Sequence, residues 1–186
     1  MVFNDLYSEY EEKLSYLCYQ ASEHLLLANI DQQQIEHIFQ GRSLKVYKMS
    51  SSKQPPSCVE NSLGTPWGLH RVCQKIGEGQ ASGMVFEGRV PIGLIASECS
   101  NEKQKKNLIT SRILRLEGLE KGVNRGGVVD TFDRYVYIHG TNHEQNLGTP
   151  SSSGCLQLSN ACVIELFNLI PEHTHLYVNE IASIKL

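Results

Sequence analysis

The segment 138–158, IHGTNHEQNLGTPSSSGCLQL, places the tightest limit on how this chain can fold. An apolar strand closes on His139, a loop carrying Gly148 and Pro150 follows, and a run of small residues delivers Cys155. Gly140, Gly148 and Gly154 permit backbone turns that residues with side chains resist. A thiol beside an imidazole can become a thiolate near neutral pH, which gives a covalent nucleophile with its own base. A cysteine and a histidine in one chain are far more often packing residues than a dyad. Here the company they keep favours the dyad: strand-His-Gly-Thr, a Gly/Pro loop, and Ser-x-Gly-Cys before a capped helix.

The chemistry sets requirements that these residues meet. Free cysteine titrates near ~8.5, so a nucleophilic thiol needs an acceptor for its proton. His139 closes a strand, which fixes its position. Gly140 has no side chain to obstruct the approach, and its carbonyl can hold the ring tautomer, the orienting part a carboxylate plays in other triads. Ser151, Ser152, Ser153 and Gly154 allow successive N–H groups to point one way as an anion-binding nest. Beside a nucleophile such a nest serves as an oxyanion hole, where one lost donor costs about 3 kcal/mol of transition-state stabilisation.

The rest of the chain reads as mostly β. Residues 3–22 form a predicted helix, with Phe3, Tyr7, Tyr10, Leu14, Leu17 and Ala21 on one stripe. Packing across its own domain is the leading reading of that stripe, ahead of a docking or dimer surface. The predicted division is therefore an amphipathic helix at 1–23 and a domain at 24–186. Strands are expected at Leu25–Ile30, Gln34–Phe39 and Leu44–Met49, with a turn at Gln40-Gly41-Arg42. A Ser/Pro-rich loop spans 50–64, a turn at Thr65–Gly68 leads into a further strand, and GEGQASG is a loop. Residues 98–107 are polar and read as an exposed loop. Leu108–Leu116, Val136–His139 and Leu176–Val178 are further strand candidates. Ser159 caps a predicted helix over Asn160–Ile170, and Pro171 lies beyond it.

Several function classes lose support. The chain has 186 residues and a net charge of −3 with no Lys/Arg run, so it carries no electrostatic footprint for nucleic acid. No uninterrupted apolar stretch approaches the ~18 residues of a membrane span. The six cysteines form no CxxC pair and no zinc-like spacing, and most read as reduced, small core residues. The opening turns carry Asp5, Glu9, Glu11 and Glu12 where a secretory leader carries positive charge, so no export signal is expected in them.

The key segment resembles the L,D-transpeptidase catalytic domain (YkuD-type). That family carries His-Gly-Thr, then Gly-x-Pro-x-Ser-x-Gly-Cys, then an apolar residue. These are here His139-Gly140-Thr141, then Gly148 to Cys155, then Leu156. LLLANIDQQQ at 25–34, SSSK at 50–53, TPWGLH at 65–70, KIG at 75–77, TSRILRLEGLEKGVN at 110–124 and RYVYIHGT at 134–141 resemble family segments in family order, so the likeness covers about residues 24–180.

The resemblance implies a mainly β, sandwich-like domain with one internal helix and an N-terminal helical extension. It implies Cys155 as nucleophile, His139 as base, Gly140 as orienting group, and the backbone N–H groups of Ser153, Gly154 and Cys155 as the oxyanion hole. The substrates implied are peptidoglycan stem peptides: the thiolate attacks a stem carbonyl, D-alanine leaves, and an amine of another stem resolves the thioester into a cross-link. No metal or cofactor is implied. Thr141, Ser152, Gln157 and Arg112 are candidate substrate contacts. Ser153 stands where the family usually has His, and Gln157 where it usually has Arg. Arg71, Arg112 and Arg134 can meet carboxylates or lie in solvent, His143, His173 and His175 read as loop or surface residues, and Trp67 reads as core. Two alternatives remain open in the sequence: an L,D-carboxypeptidase with water as acceptor, and a non-catalytic wall-binding module. The substrate implies the cell envelope, and with no legible leader a cytoplasmic location or another export route stays open.

Overall fold

Strand β1 (His24–Asn29) carries four apolar residues in succession, and such a strand must be covered on both faces. The computed structural model, which describes residues 3–179 with side chains from Asp5 onward, supplies both covers. Leu26 and Ala28 enter the main core, while Leu25 and Leu27 face the opposite way onto α1 (Phe3–Leu17). On α1 the buried residues are Leu6, Tyr10 and Leu14, with Tyr7 and Leu17 partly buried. The sequence stripe omitted Leu6, which is wholly buried, and extended the helix beyond its observed end. The side chain of Phe3, also assigned to the stripe, lies outside the described residues. So do residues 180–186 of the predicted domain. The apolar face of α1 packs on the chain's own sheet, in line with the leading reading of its stripe.

The strands form one continuous sheet. Its order begins β3 (Arg42–Lys48), β2 (Gln34–Phe39), β1, β10 (His175–Val178). It continues β4 (Gly68–Ile76), β7 (Ile109–Gly118), β5 (Met84–Glu87), β6 (Val90–Ile95). From β7 it branches through β8 (Tyr137–Thr141) to β9 (Leu156–Leu158). Leu26 and Tyr47, on one side of this path, share a core with Ile138 and Leu156 on the other. The sheet therefore curls on itself, and that gives the sandwich-like layering. Helix α3 (Asn160–Leu169) closes this core with Val163, Leu166 and Phe167, and its Ser159 cap accepts a hydrogen bond from the Cys162 amide. The β2–β3 turn has φ of +50° at Gln40 and +74° at Gly41, as a tight two-residue hairpin with both central residues left-handed requires.

The sequence left unread the two strands of the β5–β6 hairpin, the three-residue β9, and a short helix α2 (Asn101–Gln104) inside the polar 98–107 segment. His175 is also corrected. It is buried, and its Nδ1 meets the Tyr10 hydroxyl at 2.9 Å, locking α1 to β10. His173 is exposed, as expected. If α1 belongs to the core, Leu6→Ala should cost about 3 kcal/mol, the typical size for a buried leucine, in urea unfolding with one cooperative transition. A separate early transition for the helix would contradict this.

Candidate active site

Strands β8 and β9 run parallel, with Ile138 beside Leu156 and His139 beside Gln157. Side chains alternate along each strand, so Ile138, Leu156 and Leu158 enter the core under α3. His139 and Cys155, each one step out of phase with those residues, fall on the opposite side of the ladder. There Cys155 packs against Phe86, Ile113 and Tyr137. Diagonal neighbours in a sheet are about 7–8 Å apart, which is the relation between His139 and Cys155 in this register.

His139 is buried, and its Nδ1 lies 2.7 Å from the Gly140 carbonyl. A carbonyl only accepts, so Nδ1 carries the proton and Nε2 the lone pair. Gly140 is needed for this geometry. A Cβ there would come within 2.7 Å of the Thr110 carbonyl and 2.9 Å of the Asn160 Oδ1. Asn160 is held in turn: its Oδ1 accepts from the Thr110 and Ser111 hydroxyls at 2.6 and 2.5 Å, and its Nδ2 donates to the Thr141 carbonyl and to Glu144.

The loop before Cys155 leans on residues 50–53. The amides of Ser151 and Ser152 both donate to the Ser51 carbonyl at 2.9 Å, and the Lys53 amide donates to the Ser152 carbonyl. The Ser152 hydroxyl donates to the Cys155 carbonyl at 2.6 Å and accepts from the Gly154 amide at 3.2 Å. Gly154 has φ +125°, a conformation that L side chains rarely adopt. Of the amides expected to form an oxyanion hole, that of Gly154 is thus engaged within the loop.

The four candidate substrate contacts have partners within the chain. Thr141, Ser152 and Gln157 are all buried. The Thr141 hydroxyl accepts from the His143 amide. Gln157 pairs through its backbone with Ser50 and accepts the Ser151 hydroxyl on its side-chain oxygen, so it braces the loop. Arg112 lies on the α3 side, donating to the Gln80 and Ser111 carbonyls and stacking 5.5 Å from the Phe167 ring. Arg71 pairs with Glu117, and Trp67 is partly buried against the main core, as expected.

A pocket of about 280 Å³ opens at Cys155. Ser153, Gly154 and Cys155 form one wall, Asp133, Arg134 and Tyr135 another, and Glu60, Asn61 and Leu63 a third. Arg134 is the residue whose position sequence reasoning missed. The sequence leaves it either solvated or carboxylate-binding, because no periodicity marks a residue in a loop before a strand.

The electrostatics depart from the expected thiolate near neutrality. Burial pushes the Cys155 thiol up to about 11, opposed by a backbone contact at Tyr137 and by the charge of Arg134. Burial likewise holds His139 down to about 4, opposed by its bond to Gly140. At pH 7 both groups are neutral in the resting protein, and the sulfur points to the Tyr135 carbonyl at 3.8 Å.

This curled sheet, with a His-Gly step at the end of one strand and a Gly-Cys turn leading into its parallel neighbour, is the architecture of L,D-transpeptidase catalytic domains. The model of the YkuD family, the L,D-transpeptidase catalytic domain, matches residues 23–178, and the chain belongs to that family. Among solved structures, an L,D-transpeptidase from Mycobacterium smegmatis is 19% identical, with a TM-score of 0.50 over 85% of this chain and 59% of that one. L,D-transpeptidase 3 from Mycobacterium tuberculosis, in complex with a faropenem-derived adduct, is 14% identical, with a TM-score of 0.54 over 85% of this chain and 60% of that one. An Enterococcus faecium L,D-transpeptidase is 13% identical, with a TM-score of 0.52 over 86% and 50% of the two chains. The likeness is one of fold, and the chain spans between half and three-fifths of the length of these structures. Comparison with curated proteins gave no match.

Two outcomes follow from this geometry. Gly140→Ala should destabilise the protein by about 1–3 kcal/mol in denaturant unfolding, since the added methyl meets a fixed carbonyl. Iodoacetamide labelling of Cys155, followed by peptide mass mapping to separate it from exposed Cys18, should keep accelerating above pH 9. A plateau reached by pH 7 would show a resting thiolate instead.

Proposed function

We propose that the protein is a cysteine-dependent L,D-transpeptidase acting on peptidoglycan stem peptides in the cell envelope. The observation that carries this reading is the shared ladder face of His139 and Cys155, with the ring tautomer set by Gly140 and the thiol lining an open pocket.

With both groups neutral at rest, His139 acts as a general base during attack. The Cys155 sulfur forms a bond to the donor stem's peptide carbonyl while its proton passes to His139 Nε2. The amides of Ser153 and Cys155, joined by that of Gly154 when it leaves the Ser152 hydroxyl, stabilise the oxyanion. The C–N bond then breaks, the imidazolium returns its proton to the departing D-alanine amine, and a thioester remains. An amine of a second stem gives a proton to His139 and attacks the thioester carbonyl. The thiolate leaves and is reprotonated, and a cross-link stands where D-alanine was. A carbapenem acylates the same thiol by the same first step.

Cys155→Ala should abolish D-alanine release from purified tetrapeptide muropeptides while leaving the thermal melt intact, with turnover followed by mass spectrometry. Cross-linked dimers among the wild-type products support transfer to an amine. Tripeptides alone point to water as acceptor, and undiminished turnover by the variant would overturn the assignment of Cys155.

A further inference from the structure

Arg134 has a place in the pocket that bracing of Cys155 by its own loop does not explain. Its guanidinium donates to the Ser57 carbonyl at 2.9 Å, to the Gly64 carbonyl at 2.7 Å and to the Ser62 hydroxyl at 3.4 Å. All three acceptors belong to one loop, and that loop supplies Glu60, Asn61 and Leu63 to the pocket that the thiol also lines. The guanidinium fork fits this task, because several fixed donors hold the charge in one place. Among the described residues that line the pocket, Arg134 is the one cation.

The charge is placed where the chemistry needs it. Forming a thiolate, or the oxyanion that follows attack, puts negative charge into a half-buried site, and burial opposes that. None of the other described residues lining the pocket is a cation. Glu60 and Asp133 are acids on the pocket wall. Tyr137 accepts from Arg89, and Arg89 and Arg115 stack on the Tyr135 ring at 5.0 and 5.4 Å, but neither lines the pocket. His139 is neutral at pH 7. Gln157 faces Ser151 rather than the pocket.

We propose that Arg134 is a positioning residue with two tasks: it fixes the 57–64 wall of the pocket, and it stabilises negative charge on the Cys155 sulfur. The proposal rests on Cys155 being the nucleophile. The guanidinium is held by Ser57, Ser62 and Gly64 of its own chain. It acts through the thiol and through the loop.

The test compares wild type, Arg134→Lys and Arg134→Met, each first shown to be folded by its thermal melt. The readout is the pH dependence of iodoacetamide labelling at Cys155, mapped by peptide mass. Both variants lose most of the fork and so disturb the loop, but only Arg134→Met loses the charge. The expected result is a labelling midpoint about one unit higher in Arg134→Met, the lower end of the effect of a nearby opposite charge, with Arg134→Lys close to wild type. At pH 8 this is roughly ten-fold slower labelling for Arg134→Met. Equal midpoints in all three proteins, or equal shifts in both variants, would overturn the electrostatic task. Absence of any labelling at Cys155 in the wild type would overturn the assignment of the nucleophile itself, and this proposal with it.

Discussion

The parallel pairing of β8 with β9 is the constraint on which the rest depends. It is only three residue pairs long, yet it decides which side of the sheet receives the imidazole and the thiol. A slip of one residue would send Cys155 into the apolar core and Leu156 towards solvent, because side chains alternate faces. So short a ladder cannot hold its register alone. The register is held from outside, where Gln157 pairs with Ser50 through both backbone groups and residues 51–53 clasp the loop before the cysteine. Ser152 and Gln157, two of the candidate substrate contacts, also brace the loop that carries the thiol.

That frame has an electrostatic consequence. The burial that orders His139 and Cys155 also disfavours charge on both, leaving a neutral pair at rest. Such a thiol is protected from adventitious oxidation, since reactivity follows thiolate character. The reactive form then has to be generated as the substrate arrives and displaces water.

How much of this was legible in the sequence depended on the range of the interaction concerned. Local signals read well: the Ser159 cap, the left-handed Gln40-Gly41 turn, the alternation of β2, and the His-Gly and Gly-Cys steps. The strand at β1 was visible as an apolar run, whereas its burial on both faces emerged only with α1 and the main core in place. What escaped was set by partners distant in sequence. Leu6 carries no special mark on α1 until the sheet is present to bury it, and His175 looked like surface until Tyr10 was found against it. β9 is too short for any periodicity. Thr141, Ser152, Gln157 and Arg112 are polar residues whose bonds end on other parts of the chain. No spacing reveals whether a hydroxyl or guanidinium will meet a carbonyl of its own protein or one of a ligand.

The pairing of β1 with β10 joins the two ends of the described chain: Leu25 lies beside His175, and α1 covers the outer face of both strands. Contacts between residues so far apart raise the contact order, and folding slows as contact order rises. During synthesis the first strand must wait, one edge open, until the last strand has left the ribosome. Truncation anywhere ahead of β10 would leave an unclosed edge in the middle of the sheet, a template for pairing with another chain.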